Sequence, residues 1–146
     1  MTIDASGFGT TINIKASETF PAGFEVSFFA DDADPIDMPQ LQINDKAMGV
    51  NGDMVTWSKA NPIPCTIALL PNTEDDDNMQ VLAASNRAVR GRRPVRDIIT
   101  ATITYPDGSV VRLLRGKLTD APMGKSLASS GRIKTNSYVF AFEDAQ

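Results

Sequence analysis

The feature that most constrains the fold is an alternation of apolar and polar residues that recurs along the chain. Successive side chains of a β-strand point to opposite faces, so a period of two is typical of strands buried on one face. In the first half of the chain it predicts five strands, whose apolar positions are Ile12 and Ile14; Phe24, Val26 and Phe28; Leu41 and Ile43; Val55 and Trp57; and Cys65, Ile67 and Leu69. We place Trp57 inside the protein, where its truncation to alanine should cost about 3–5 kcal/mol.

The second half of the chain predicts three further strands. The first has an apolar and a threonine face, since Ile99, Ala101, Ile103 and Tyr105 alternate with Thr100, Thr102 and Thr104. A tight turn at Tyr105–Gly108 follows, because proline presets φ and glycine supplies a positive φ. Val110–Leu118 returns as the hairpin partner, and Tyr138, Phe140 and Phe142 form a last, aromatic face. About eight strands predict a mainly β protein, a sandwich or barrel.

One segment has helical spacing instead and predicts a flanking helix over about residues 75–90. Thr73 is a suitable N-cap, and the acidic run 74–77 complements the positive end of the helix dipole. We expect these four acids to point mostly into solvent. Gly91 is a suitable stop. The residues that define the predicted helix are Met79, Leu82, Ala83 and Val89 on the apolar face, and Arg87 and Arg90 in the last turn.

The length of 146 residues suits one domain, residues 1–146. Three stretches look irregular: a flexible N-terminal arm at about residues 1–10, and long loops at about 30–40 and 120–136. Loops this long in a small domain usually carry function or become ordered on assembly.

Composition excludes several classes of function. The net charge of −4 argues against a dedicated nucleic-acid binder, which usually has a basic surface. The chain has no histidine, the commonest general base and metal ligand, so a serine–histidine triad is impossible. Cys65 is the one cysteine, and its apolar surroundings predict a buried, structural role. Residues 1–10 do not resemble a signal peptide, so we expect synthesis and solubility in the cytoplasm before assembly.

The chain has two groups of acidic residues, and neither predicts a metal site or a catalytic site. The aspartates at 31, 32, 34 and 37 lack the glycine and glutamate of an EF-hand, and Pro35 interrupts them, so we expect a solvated or partner-facing loop. The run at 74–77 lacks the contrasting environments that acid–base catalysis needs. We therefore expect no metal, no cofactor and no catalytic residue.

An arginine group leaves three interpretations open. Its members, within ten residues, are Arg87, Arg90, Arg92, Arg93 and Arg96. A solvated helix end is the plain interpretation. Nucleic acid is disfavoured because no aromatic residue is interleaved to stack on bases. A protein interface is slightly favoured over plain surface, since guanidinium groups pair well with carboxylates. Acidic loops on the same chain would permit a head-to-tail contact between identical subunits.

Several stretches resemble the tail-tube proteins of contractile-tailed bacteriophages. They are AGFEVSFFADDADPIDMP (22–39), GVNGDMVTWSKANPIPCTIALLP (49–71), EDDDNMQVLAASNR (74–87), YPDGS (105–109) and YVFAFE (138–143). The resemblance covers nearly the whole chain, although none of these stretches is a chemical signature.

The resemblance implies a β-sandwich or barrel-like fold with one helix, and hexameric rings that stack into a tube. Phage DNA would pass through the channel without sequence-specific binding. A sheath protein would surround the tube, a baseplate and a tail terminator would close its ends, and no membrane would be involved. The chain would then be a structural virion protein, made in the host bacterial cytoplasm, and not an enzyme.

The expected surfaces follow from these two lines of reasoning. The interface candidates are Arg87, Arg90, Arg92, Arg93, Arg96, Asp31, Asp32, Asp34 and Asp37, and the face that could line the lumen or a subunit junction is Thr100, Thr102 and Thr104. The alternatives are another virion part, such as a capsid decoration or baseplate protein, and a β-sandwich binding module that acts alone.

Overall fold

The computed structural model describes residues 5–31 and 33–146, and over these residues it has ten strands and one helix. In chain order the elements are β1 (Thr11–Ala16), β2 (Phe20–Val26), β3 (Ile36–Asp37), β4 (Asn44–Met48), β5 (Met54–Ser58), β6 (Ile63–Leu69), α1 (Glu74–Asn86), β7 (Ile99–Thr104), β8 (Val110–Asp120), β9 (Asn136–Phe142) and β10 (Asp144–Ala145). The predicted mainly β class with one helix is confirmed, and the strands beyond the predicted eight include the two-residue β3 and β10.

The main sheet is antiparallel and curls toward closure. Its strand order is β2-β1-β7-β8-β9-β6-β3, and β10 lies beside β8. After β2 the chain returns to β6: the Leu70 amide donates to the Phe28 carbonyl at 3.1 Å, and the Ala30 amide donates to the Ala68 carbonyl at 3.0 Å. Because β2 and β6 lie near opposite ends of the strand order, these bonds give the sheet its barrel-like shape.

Strand β8 bends in its middle and pairs with a different strand on each side of the bend. Its first part pairs with β7, and its second part pairs with β9. At the bend Arg115 has a φ of 54°, and Gly116 lies against the ring of Phe142. A Cβ atom at Gly116 would lie only 2.2 Å from Cδ1 of Phe142, so glycine permits this close packing.

The core consists of the alternating apolar positions that the sequence predicts. The Cys65 thiol is buried as expected, and this desolvation, with the nearby charge of Asp37, raises its pKa to about 11. The buried core side chains include Ile12, Ile14, Cys65, Ile67, Leu69, Met79, Leu82, Ile99, Ala101, Ile103, Tyr138, Phe140 and Phe142.

The helix is shorter than predicted. It begins after the N-cap Thr73, as expected, but ends at Asn86 instead of near residue 90, and its last turn has no basic residue. The Asn86 amide donates to the Leu82 carbonyl at 2.9 Å and to Asp97 Oδ2 at 2.8 Å. At Arg87 the backbone is already extended, so the arginines follow the helix and do not cap it.

The β4–β5 hairpin, residues 44–58, corrects a second prediction. Within residues 5–31 and 33–146 its strands pair only with each other, apart from the main sheet. Trp57 is therefore not in the core, and 47% of its surface is exposed. Leu41, Ile43 and Phe28, predicted as strand positions, lie outside the strands and are exposed. The alternation indicated β5 correctly, but the strand predicted at Leu41 and Ile43 is wrong, because β4 begins only at Asn44. The pattern also could not show that the apolar side chains of β5 remain exposed in the subunit.

Candidate assembly surfaces

The β4–β5 hairpin exposes apolar side chains on both of its faces. Val55 and Trp57 lie on one face, opposite Ala47 and Asp45, whereas Met48 and Met54 pair with each other on the other face. Met48 is 67% exposed and Val55 is 56% exposed. A two-stranded hairpin alone is marginally stable in water, and a contiguous exposed apolar patch usually marks an interaction site.

The threonine face of β7 continues onto its neighbours. Across β1, Thr104, Thr102 and Thr100 pair with Thr11, Asn13 and Lys15. On the other side Thr102 pairs with Arg112 of β8, and beyond Asn13 lies Glu25 of β2. The outer face of the sheet is thus a polar surface of hydroxyl and amide groups, with charges of both signs at Lys15, Arg112 and Glu25 and no aromatic side chain at these positions. In the described part of the chain, no strand of the main sheet pairs with the second edge of β2, Phe20–Val26.

The arginine group forms an exposed segment between α1 and β7. All five arginines are exposed, and over residues 5–31 and 33–146 none of them takes part in an ion pair. Arg92 donates to the Ala84 carbonyl at 2.7 Å. Arg93 and Arg96 line a shallow groove together with Glu18. Four of the five guanidinium groups are thus available to an external partner.

Asp97 anchors the arginine segment to the barrel. Its Oδ1 accepts hydrogen bonds from the amides of Glu18 at 2.8 Å and Thr19 at 2.9 Å, and its Oδ2 accepts from the Thr19 hydroxyl and from Asn86. Lys117 donates to the Asp97 carbonyl at 2.8 Å. Sequence reasoning missed this residue, since an acid after a run of arginines resembles an exposed loop residue.

Asp97 makes folding stability depend on pH. Burial alone would raise the pKa of its carboxyl, but the hydrogen bonds from Thr19, Asn86 and Glu18 lower it overall. A group whose pKa is lower in the folded state stabilises the protein above the unfolded pKa of about 3.9, and this stabilisation is lost as the pH falls through the folded pKa.

We expect Asp97→Asn to lower the free energy of unfolding by about 2 kcal/mol at neutral pH, because an amide cannot accept all of these bonds. The difference from wild type should shrink as the pH falls through the folded pKa. Urea unfolding at a series of pH values measures this difference in the free energy of unfolding. The control is Asp34→Asn, which changes an exposed carboxylate. A difference that stays constant down to the lowest pH would contradict this role.

The acidic loop after β2 is exposed. Asp31 pairs with Arg132 at 2.7 Å, and this hydrogen bond lowers the pKa of the Asp31 carboxyl. Asp34 and Asp37 are exposed, whereas Asp32 lies outside the described residues. Of the predicted N-terminal arm, residues 1–4 also lie outside them, and residues 5–10 contain no strand or helix.

Two acids at the start of α1 are buried, contrary to the expectation that the run at 74–77 points into solvent. Asp75 accepts from the amides of Ser27 at 2.9 Å and Phe28 at 3.0 Å. Asp76 accepts from the Tyr138 hydroxyl at 2.7 Å and from Asn136 at 2.9 Å. Burial and the Asp76 carboxylate raise the pKa of Tyr138. Both acids therefore join the helix to the barrel, and the exposed members of the run are Glu74 and Asp77.

In the described part of the chain, no helix has the length and apolar character needed to cross a bilayer. Two solved structures share the fold. One is a chain of the anti-feeding prophage baseplate, with a TM-score of 0.58, 11% identity, and coverage of 100% of this chain and 96% of that chain. The other is from the PVC sheath/tube terminator of an extracellular contractile injection system, with a TM-score of 0.54, 9% identity and coverage of 100% and 97%.

No curated protein matches the sequence significantly. The profile of a protein family, described as tail fiber protein gp32, matches residues 3–146. The resemblance to tail-tube proteins is thus confirmed as far as an association with the tail, although the family's description names a fiber. The chain belongs to the tail fiber protein gp32 family and is a structural component of a phage tail.

Proposed function

We propose that this chain is the subunit of the tail tube, which assembles into hexameric rings that stack around a channel for DNA ejection. It acts as a single domain, residues 1–146, whose arm and long loops take part in ring contacts. A sheath surrounds the tube, and a baseplate and a tail terminator close its ends. Its function lies in surfaces offered to other subunits, without catalysis, cofactor or metal.

The observation that carries this proposal is the β4–β5 hairpin. The two faces of this hairpin expose the apolar side chains of Met48, Met54, Val55 and Trp57. We expect another subunit to cover them. Burial of about 25 cal/mol per Å² of apolar area makes such a surface a strong driving force for association. In a repeating assembly, the neighbouring subunit covers the hairpin and fixes its conformation.

The main sheet supplies the elements of a ring. The unpaired edge of β2 can add a strand from the next subunit, which would continue the sheet around a channel. The threonine face would then line the lumen. Its hydroxyl, amide and charged groups would keep water at the wall, and without aromatic side chains at these positions it offers no platform on which bases could stack.

A second candidate is a baseplate or fiber component. The family's description names a fiber, and the fold is shared with a chain from the anti-feeding prophage baseplate. Such a component would use the same hairpin to contact a different neighbour, and it would occur in few copies in each particle.

The test is the assembly state of the purified protein, measured by electron microscopy and analytical ultracentrifugation. The tube proposal expects rings with a central hole and six-fold symmetry, which lengthen into tubes as the concentration rises. A trimer would favour a fiber or a decoration protein. A monomer that persists at high concentration would contradict self-assembly and favour a binding module.

A further inference from the structure

The register of the barrel strands defines two opposite ends of the subunit. Strand β1 begins opposite Thr104 and ends opposite Ile99, and β8 pairs with Ile99 at Gly116. One end therefore contains the loop before β7 and the β1–β2 turn. The other end contains the 105–109 turn and the segment before β1. Six residues of β1 separate the two ends by about 20 Å.

The helix runs between the same two ends. Its start is held by Asp75 to the amides of Ser27 and Phe28, which follow β2. Its last residue, Asn86, bonds to Asp97, which precedes β7. Thirteen residues of helix span about 20 Å, the same length as β1. The helix therefore places its acidic start at one end of the barrel and the arginine segment at the other.

The end with the helix terminus, which we call the arginine end, is strongly basic. The exposed acids there include Glu18, and Asp120, which lines one groove with Arg87; beside Gly116, Glu143 and Asp144 pair with Arg115. The other exposed cations outnumber these acids and comprise Arg87, Arg90, Arg92, Arg93, Arg96, Lys15 and Lys117. Asp97 is buried and uses both carboxylate oxygens within the subunit.

The opposite end, which we call the acidic end, carries the complementary charge. Its exposed acids comprise Asp31, Asp34, Asp37, Glu74, Asp77 and Asp107. Phe29, Pro35 and Tyr105 line one groove with Thr10, so the acidic loop and the 105–109 turn lie together. Arg132 pairs with Asp31, and Lys125 bonds to Asn72 beside the helix start, so part of the charge is compensated. The other acids form no ion pair within the described residues.

We infer that subunits stack head to tail, with the arginine end of one copy against the acidic end of the next. This inference rests on the proposed function and gives the tube its polarity. The occupant is a second copy because one chain carries both complementary surfaces at opposite ends, and a contact between different surfaces propagates without limit unless it closes. Single exposed ion pairs contribute little, but many such pairs around each ring act together.

Two reversed-charge variants test this inference, with wild-type tubes as the reference. The first is Arg93→Glu/Arg96→Glu, which cancels most of the net positive charge of the arginine end. The second is Asp34→Lys/Asp37→Lys, which cancels most of the net negative charge of the acidic end. Each variant alone should reduce the yield of stacked rings about tenfold or more at an ionic strength of about 0.05 M. An equal mixture should recover tubes in which the two variants alternate. The control compares Arg112→Glu with Arg93→Glu, each as a single change: Arg112 of β8 lies opposite Thr102 in the middle of β7, away from both ends, so its reversal should leave stacking intact.

The outcomes separate this inference from the tube proposal. Tubes of normal yield from the arginine variant, or a mixture that fails to recover assembly, would overturn the head-to-tail contact and leave the tube proposal standing. If that variant forms normal tubes but loses binding to a duplex DNA probe, the arginines serve nucleic acid instead. A wild-type protein that forms neither rings nor tubes would overturn both.

Discussion

Trp57→Lys is expected to abolish tube assembly while the barrel stays folded. Trp57 is half-exposed on a hairpin that, among the described residues, pairs with no strand of the main sheet, so its loss should cost the isolated subunit less than about 1 kcal/mol. On the tube proposal the same side chain would be an aromatic anchor at every contact, where truncation costs about 2 kcal/mol or more. Lysine suits the hairpin because residue 57 lies opposite Asp45, and opposite charges stabilise a cross-strand pair.

The measurement has two parts: sedimentation and electron microscopy for assembly, and urea unfolding at low concentration for stability. Val81→Lys is the matched control, because Val81 is equally exposed but lies on the helix, away from the hairpin. We expect tubes from Val81→Lys and none from Trp57→Lys. A large loss of stability in Trp57→Lys would show that the hairpin packs on its own barrel, and normal tubes would remove Trp57 from the interface.

Gly116→Ala is expected to produce the largest loss of subunit stability, about 3 kcal/mol or more. The added Cβ would lie 2.2 Å from Cδ1 and 2.4 Å from Cε1 of Phe142, whose ring is fully buried. Because β8 pairs with β7 on one side and β9 on the other at this bend, the backbone cannot move without disturbing both pairs. Urea unfolding measures the change in free energy.

Gly124→Ala is the control for this prediction, since no atom lies within 4 Å of its added Cβ. Combining Gly116→Ala with Phe142→Leu should restore part of the stability, because the smaller side chain makes room and contacting residues are not additive. If Gly116→Ala alone unfolds like wild type, the contact with Phe142 is looser than the structure indicates.

The barrel could be predicted from sequence because the alternation of apolar residues reports burial directly. Ile12 and Ile14, or Tyr138 and Phe140, are buried in their own subunit, and their pattern predicts this. Trp57 shows the limit of the same reasoning. A strand that is covered by another subunit has the same apolar composition as one covered by its own barrel, so the sequence does not distinguish the two.

The candidate surfaces could be predicted only in part. The arginine segment and the acidic loop stood out by composition, but their placement at opposite ends depends on strand register, which no local pattern encodes. Asp75, Asp76 and Asp97 were missed for a related reason. Their partners at Ser27, Tyr138 and Thr19 lie 48, 62 and 78 residues away along the chain, so nothing beside these acids indicates that they are buried.

The most direct test of the proposed role is a reconstruction of an intact particle by electron cryomicroscopy, with this chain fitted to the density. The tube proposal predicts stacked six-fold rings of the chain around the central channel, with the hairpin buried between subunits and the threonine face toward the channel. Density for the chain only in a fiber or in the baseplate, with another protein around the channel, would contradict it.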